Sequence, residues 1–266
     1  MTAVPSITSP SATRSAGLDR ALILAALVGV TTLSWTYLVW DARRMTAGVC
    51  EMCMPLAHAW TARELAMVFA MWTIMMAGMM TPTVTPAVLL FAALNRQRRA
   101  DRRPFVPTIA FLGGYLLVWT AFSLAITVAQ ALLHRAALLS PAMVSRSPSL
   151  GGALLVAAGL FQLLPLKNVC LRHCRSPLDT FITGWREGVG GAVRMGAGHG
   201  LHCVACCWLL MALLFVAGVM NLLWVGAVTA FVLIEKMVPG PWPSRVAGIA
   251  LVAAGVVMAW PRSSYY

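Results

Sequence analysis

The chain has 266 residues, 60% hydrophobic and only 11% charged, with a mean hydropathy of +0.80 and a formal net charge of +12. A soluble domain carries about 25% charged residues, so this composition excludes an ordinary globular protein as well as a disordered one. The apolar stretches are continuous rather than alternating, which excludes an outer-membrane barrel and leaves an all-α, polytopic transmembrane helical bundle.

Residues 1–17 are rich in Ser, Thr, Pro and Ala and are expected to form a disordered tail; residues 18–262 are expected to form a single transmembrane helical domain. Six uncharged runs follow in order: 21–40, 65–95, 104–134, 147–166, 195–234 and 246–261. One crossing needs about 20 residues at about 1.5 Å each. The first run is too long for a signal-peptide core and no small-residue cleavage site follows it, so it reads as a retained span. The second and third runs are each one long crossing, and Pro82 and Pro86 give the second a reason to bend. The run 195–234 would be about 60 Å as a straight helix, too long for one crossing. It reads as a hairpin turning at residues 218–221, which makes about seven spans, or six if it does not turn.

The basic residues orient the bundle. Placing Arg96, Arg98, Arg99, Arg102 and Arg103 in the cytoplasm puts the N-terminus inside and the segment from Lys167 to Arg194 inside too. Fourteen of the 20 basic residues then lie inside and six outside, so the excess positive charge is mostly a topology signal of an inner-membrane protein. A nucleic-acid partner is the weaker reading, because no basic segment is interleaved with aromatics as a base-stacking platform requires. The expected partner is the lipid bilayer.

The chemistry-bearing residues cluster. Cys170, His173 and Cys174 stand in CLRHC after the fourth run, and the fifth opens with RMGAGHGLHCVACCW, which holds His199, His202, Cys203, Cys206 and Cys207. On a helix, positions three and four apart share a face. His199, Cys203 and Cys207 step by four, as do His202 and Cys206, with Met195 and Met211 extending the first ladder. Thiolates and imidazoles are ligands of zinc and of copper(I), so two such segments arriving at one membrane face point to a metal site. Cysteines packed as small hydrophobes and histidines bonded to carbonyls are the structural alternative. A separate group, Cys50, Met52, Cys53, Met54 and His58, falls in the first external loop, a bilayer away. It reads either as a disulfide or redox pair or as a second metal site. Met67, Met71, Met75 and Met79 step by four along the second run, with Met76 and Met80 beside them, and are read as core rather than conduit. Glu235 and Lys236 read as an interfacial ion pair. No paired carboxylates, serine nucleophile motif or phosphate-binding glycine loop is present, and the chain is not expected to be an enzyme.

The segments AMWTIMMAGMMTP, FLGGYLLVWTAF, GLFQLLPLKNVCLRHCRSPL and GGAVRMGAGHGLHCVACCWLLMALLFVAGVMNLLW, with the closing EK, resemble a bacterial family of unknown function described as predicted metal-binding integral membrane proteins. The likeness runs from about Leu65 to about Lys236. It implies an inner-membrane location and a metal site, with Cys170, Cys174, His199, Cys203, Cys206 and Cys207 matching the motifs. His202 and the Cys50–Cys53 pair are particular to this chain.

Three functions compete. The first is copper(I) handling through the cytoplasmic-side cluster, by binding, transfer or transport, or as an accessory to a larger membrane metalloenzyme, with a metallochaperone or membrane complex as partner. Copper(I) ranks first because it accepts thiolate, imidazole and thioether, and zinc second because it gains little from thioethers. The second is a transmembrane thiol–disulfide or electron carrier. The third is a structural hydrophobic subunit of a membrane complex.

Overall fold

The computed structural model describes residues 10–46, 60–100, 108–140, 145 and 147–259. Cys50, Met52, Cys53, Met54 and His58, and with them the second external cluster, lie outside the described residues. The described chain is all-helical apart from turns and one isolated bridge between Leu139 and Ser145.

Helix α1 spans Pro10–Thr46 and so starts inside the segment expected to be a tail. Helix α2, Ala62–Ala100, opens on a reciprocal cap: the Thr61 amide donates to the Glu64 carboxylate at 2.6 Å, and the Glu64 amide donates back to Thr61 Oγ1 at 3.3 Å. It runs through Pro82 and Pro86 and past Asn95, so that Arg96 and Arg98 extend a helix rather than form a loop. Proline removes an amide donor from the ladder, and nearby hydroxyls turn back onto carbonyls. Thr81 donates to Ala77 O at 2.6 Å, Thr83 to Met80 O at 2.9 Å and Thr85 to Thr81 O at 3.0 Å.

Helix α3 is Thr108–Arg135. Helix α4, Pro148–Leu163, is capped by Ser147, whose Oγ accepts from the Leu150 amide at 3.3 Å. Pro165 then restarts the chain as α5, Pro165–Arg175, bent 68° away from α4. The short α6, Leu178–Thr183, leads to α7, Gly188–Ala212, and α8, Leu214–Ala217. The chain turns after α8, where Gly218 takes a φ of 97° and Asn221 caps α9, Leu222–Met237, by accepting from the Trp224 amide at 3.3 Å. This is the turn that the length of the 195–234 run requires. Helix α10 is Trp242–Ala259.

Five of these helices are long and apolar enough to cross a membrane, and the bent pair α4–α5 makes six. Helix α9, with 16 residues, is about 24 Å long, shorter than a hydrocarbon core of about 30 Å. The most apolar part of α2 is 61% buried and that of the α7–α8 stretch 50%, against 17% to 22% for α1, α3 and α10. The bundle is therefore built around α2 and α7. Met71, Trp72, Met75, Met76, Met79 and Met80 of α2 have no exposed surface, so the methionine stripe is core. The outer helices turn Leu22, Leu33, Ile109, Leu117 and Leu132 outward. An apolar exterior of that extent suits lipid rather than water.

Candidate metal centre

Helix α7 lies against α3 at backbone distance. A methyl at Gly196 would overlap the Phe111 carbonyl, and one at Gly114 would overlap the Val193 carbonyl. Small residues let two helices approach this closely, and the approach fixes which face of α7 turns inward. That face carries His199, Cys203, Cys206, Cys207 and Met211, all buried.

Cys203 is the centre of the arrangement. The Tyr115 hydroxyl of α3 lies 3.2 Å from its Sγ, and the Lys236 ammonium of α9 donates to the same sulfur at 3.0 Å. Lys236 also donates to Thr83 Oγ1 of α2 at 2.8 Å. Four helices thus meet at one thiol. A buried ammonium needs an anion or a set of acceptors; Cys203 in its thiolate form supplies the anion, with the Thr83 hydroxyl as the second acceptor. The thiols of Cys206 and Cys207 donate to the Cys203 carbonyl at 3.1 and 2.8 Å, which folds both side chains back toward Cys203. From α5, Cys174 comes near Cys203 and Cys206, within range of electrostatic interaction with both. Cys170, one turn earlier, packs half-buried on the same core and lies within electrostatic range of Cys206. All five described cysteines are free thiols.

The histidines form an outer layer. His199 is buried among the rings of Phe111, Tyr115 and Phe181, with centroids 6.2, 6.0 and 6.5 Å away. His173 of α5 and His202 of α7 stack on each other, centroids 4.5 Å apart. Each has its Nδ1 against a carbonyl one turn back: His173 on Val169 O at 3.1 Å and His202 on Gly198 O at 2.8 Å. A carbonyl only accepts, so Nδ1 carries the proton in both and Nε2 keeps the lone pair, the tautomer of a metal-ligating imidazole.

The structure thus brings Cys174, Cys203, Cys206 and Cys207 together, with Cys170 alongside, and sets His173 and His202 against each other. Among the described residues, no three Cys, His, Asp or Glu side chains stand in a ready-made coordination geometry. The arrangement is a thiol cluster under an imidazole layer.

Several site residues escape the sequence reading. Glu235 and Lys236 do not pair with each other: successive positions on a helix point apart. Glu235 instead receives Lys167 Nζ at 2.6 and 2.7 Å and Ser244 Oγ at 2.7 Å, all three side chains buried. Arg175 Nε adds a bond to the Glu235 carbonyl at 2.8 Å. Lys167 and Arg175 sit at the two ends of α5, so this network clamps the CLRHC helix to α9 and α10. Tyr115 and Thr83 gave no signal at all; only the three-dimensional meeting of α2, α3 and α7 reveals them.

A family model described as PpoB2, copper chaperone, matches residues 69–258, which take in both cysteine segments and most of α2 through α10. The match begins after the Cys50–His58 group. No curated protein and no solved structure gives a match.

Proposed function

The chain belongs to the PpoB2 copper chaperone family, and from that premise we propose that it is a membrane-embedded handler of copper(I), which it takes as cargo on the thiols of Cys170, Cys174, Cys203, Cys206 and Cys207. His173, His199 and His202 serve at the entrance. The observation that carries this reading is the convergence of Cys174 from α5 on Cys203 and Cys206 from α7, with Tyr115 and Lys236 closing around Cys203.

Thiolates and thioethers favour copper(I) over hard ions, and zinc ranks second. Glu235, the carboxylate near the cluster among the described residues, is held by Lys167 and Ser244, which leaves sulfur and nitrogen as the available donors there. Met80 adds a thioether beside Thr83, its Sδ 3.9 Å from the Thr83 hydroxyl that Lys236 contacts. Lys236 balances the charge of an empty thiolate cluster; a copper(I) ion brings the same single positive charge.

Protein purified from copper-supplemented cells is expected to hold about one copper per chain, and the Cys203→Ser/Cys206→Ser variant less than about a tenth of that, since loss of first ligands costs at least as much as loss of their supporting shell. Elemental analysis of both decides. Equal copper in the two proteins refutes the site, and zinc alone in the parent refutes the metal.

The accompanying topology is an inner-membrane protein with the N-terminus and the CLRHC segment in the cytoplasm. With α9 counted as a short crossing it has seven spans. Support comes from the 20 basic residues, most of which fall on one side of such an arrangement. A membrane-impermeant thiol reagent, applied to intact cells after mild reduction, is expected to label Cys50 and Cys53 but neither Cys170 nor Cys174. Labelling of the latter pair inverts the orientation.

A further inference from the structure

We propose that copper(I) reaches this site as an anionic complex with a small carboxylate-bearing thiol, which docks in the cleft between α5, α6 and α7. Arg186 and Arg194 grip the carrier's carboxylates there while the stacked His173–His202 pair takes the metal. The inference rests on the copper reading above and names the form in which the cargo arrives.

The cleft holds about 180 Å³ and opens to solvent, so it takes the metal-bearing end of a small molecule rather than enclosing the whole of it. Its walls carry two guanidiniums, Arg186 and Arg194, three imidazoles, His173, His199 and His202, and the thioether of Met195. Among the described residues, no carboxylate lines it. Both arginines are exposed, and neither has a hydrogen-bond or ion-pair partner among the described residues. A purely topological role accounts for arginines at a helix end, but not for two of them on the walls of a cleft whose other polar lining is mostly metal-binding.

Copper(I) bound by two thiolates carries a net negative charge before any carboxylate of the carrier is counted. Two guanidiniums at a concave mouth attract such an anion and match its carboxylates in a two-point grip. Exposure falls in the direction of transfer: His173 is exposed, His202 and Cys174 are half-buried, and Cys203 is fully buried. The two Nε2 atoms, free because Nδ1 of each ring is held by a carbonyl, are the first donors on that route.

The transfer is ligand exchange without electron movement. A bond from copper to a carrier sulfur breaks as the bond to an imidazole Nε2 forms. The copper–nitrogen bond then breaks as a copper–sulfur bond to the cysteine cluster forms. Copper stays in the +1 state, and the leaving carrier thiolate takes up the proton that the receiving cysteine gives up.

The test uses the full-length, reduced protein in detergent under anaerobic conditions. Uptake rates are measured from copper(I)–glutathione, an anionic thiolate complex, and from the cationic copper(I)–acetonitrile complex. For the Arg186→Gln/Arg194→Gln variant the ratio of the first rate to the second is expected to fall about tenfold, and added salt is expected to lower the parent's ratio toward the variant's. Arg172→Gln, which removes an exposed arginine of α5 that does not line the cleft, is expected to keep the parent's ratio. Copper uptake with an unchanged ratio in the double variant, or an equal fall in the Arg172 variant, overturns this inference and leaves the copper reading standing. A parent that takes copper from neither source overturns the proposed function and this inference with it.

Discussion

Glu235→Gln is expected to destabilise the bundle by about 3–5 kcal/mol, because it leaves the Lys167 ammonium charged, buried and without its counter-ion. The Lys167 side chain has no exposed surface and the Glu235 side chain 1%, so water cannot take the lost partner's place. Thermal unfolding in detergent, followed by helical circular dichroism, should show the midpoint drop sharply. The double variant Lys167→Met/Glu235→Leu removes both charges and is expected to recover most of the loss, since apolar replacements of a buried pair are often neutral. The same two proteins separate fold from site. The double variant should melt near the parent yet hold copper less firmly, for α5 is then tied down only by Arg175 and packing. Single and double variants that melt alike would remove the ion pair from any structural role.

The second large effect concerns the contact between α3 and α7. Gly196→Ala puts a methyl into the Phe111 carbonyl, and backbone cannot move aside as a flexible side chain can. The two helices must separate, at a cost of about 2 kcal/mol or more. Separation pulls Tyr115 away from Cys203, so bound copper should fall together with stability. Gly198→Ala, two residues on, is the internal control. A methyl there meets nothing within 4 Å, and replacing glycine in a helix gains up to about 1 kcal/mol. Opposite shifts of the melting midpoint in two such similar variants are the signature of a backbone contact. Shifts of the same sign would show that α3 and α7 are not held together at this point.

Much of this arrangement is legible in the chain itself, for identifiable reasons. A run of 40 uncharged residues cannot cross a bilayer once, which placed the turn at 218–221 where Gly218 and Asn221 make it. The four-residue spacing of His199, Cys203 and Cys207 put them on one face, and that face is buried. The methionine stripe packs as core because thioether side chains fill gaps between helices well. What stayed hidden depends on partners distant in sequence. Lys167 meets Glu235 across 68 positions and Lys236 meets Cys203 across 33. No local pattern marks such pairs. The neighbouring Glu235 and Lys236 invited a local pairing that helix geometry forbids. The reach of α2 past Asn95 was hidden by a charge run that resembles a loop in hydropathy but keeps helix-forming Arg, Gln and Ala. The 68° bend at Pro165 was equally silent, since proline both breaks helices and starts them.

The bend has a thermodynamic consequence. Cys170 and Cys174 ride on an arm that leaves α4 at an angle and is held to the rest by side-chain packing and one ion-pair network, whereas Cys203, Cys206 and Cys207 belong to a helix locked against α3 by backbone contact. Copper shared between arm and helix ties the two together, so its binding energy becomes folding energy for the arm. At a thousandfold excess over the dissociation constant that coupling is worth about 4 kcal/mol. Run in reverse, anything that lifts the arm, whether heat, a partner protein or a change in the surrounding lipid, divides the ligand set between two bodies and lets the ion go while the bundle beneath stays folded.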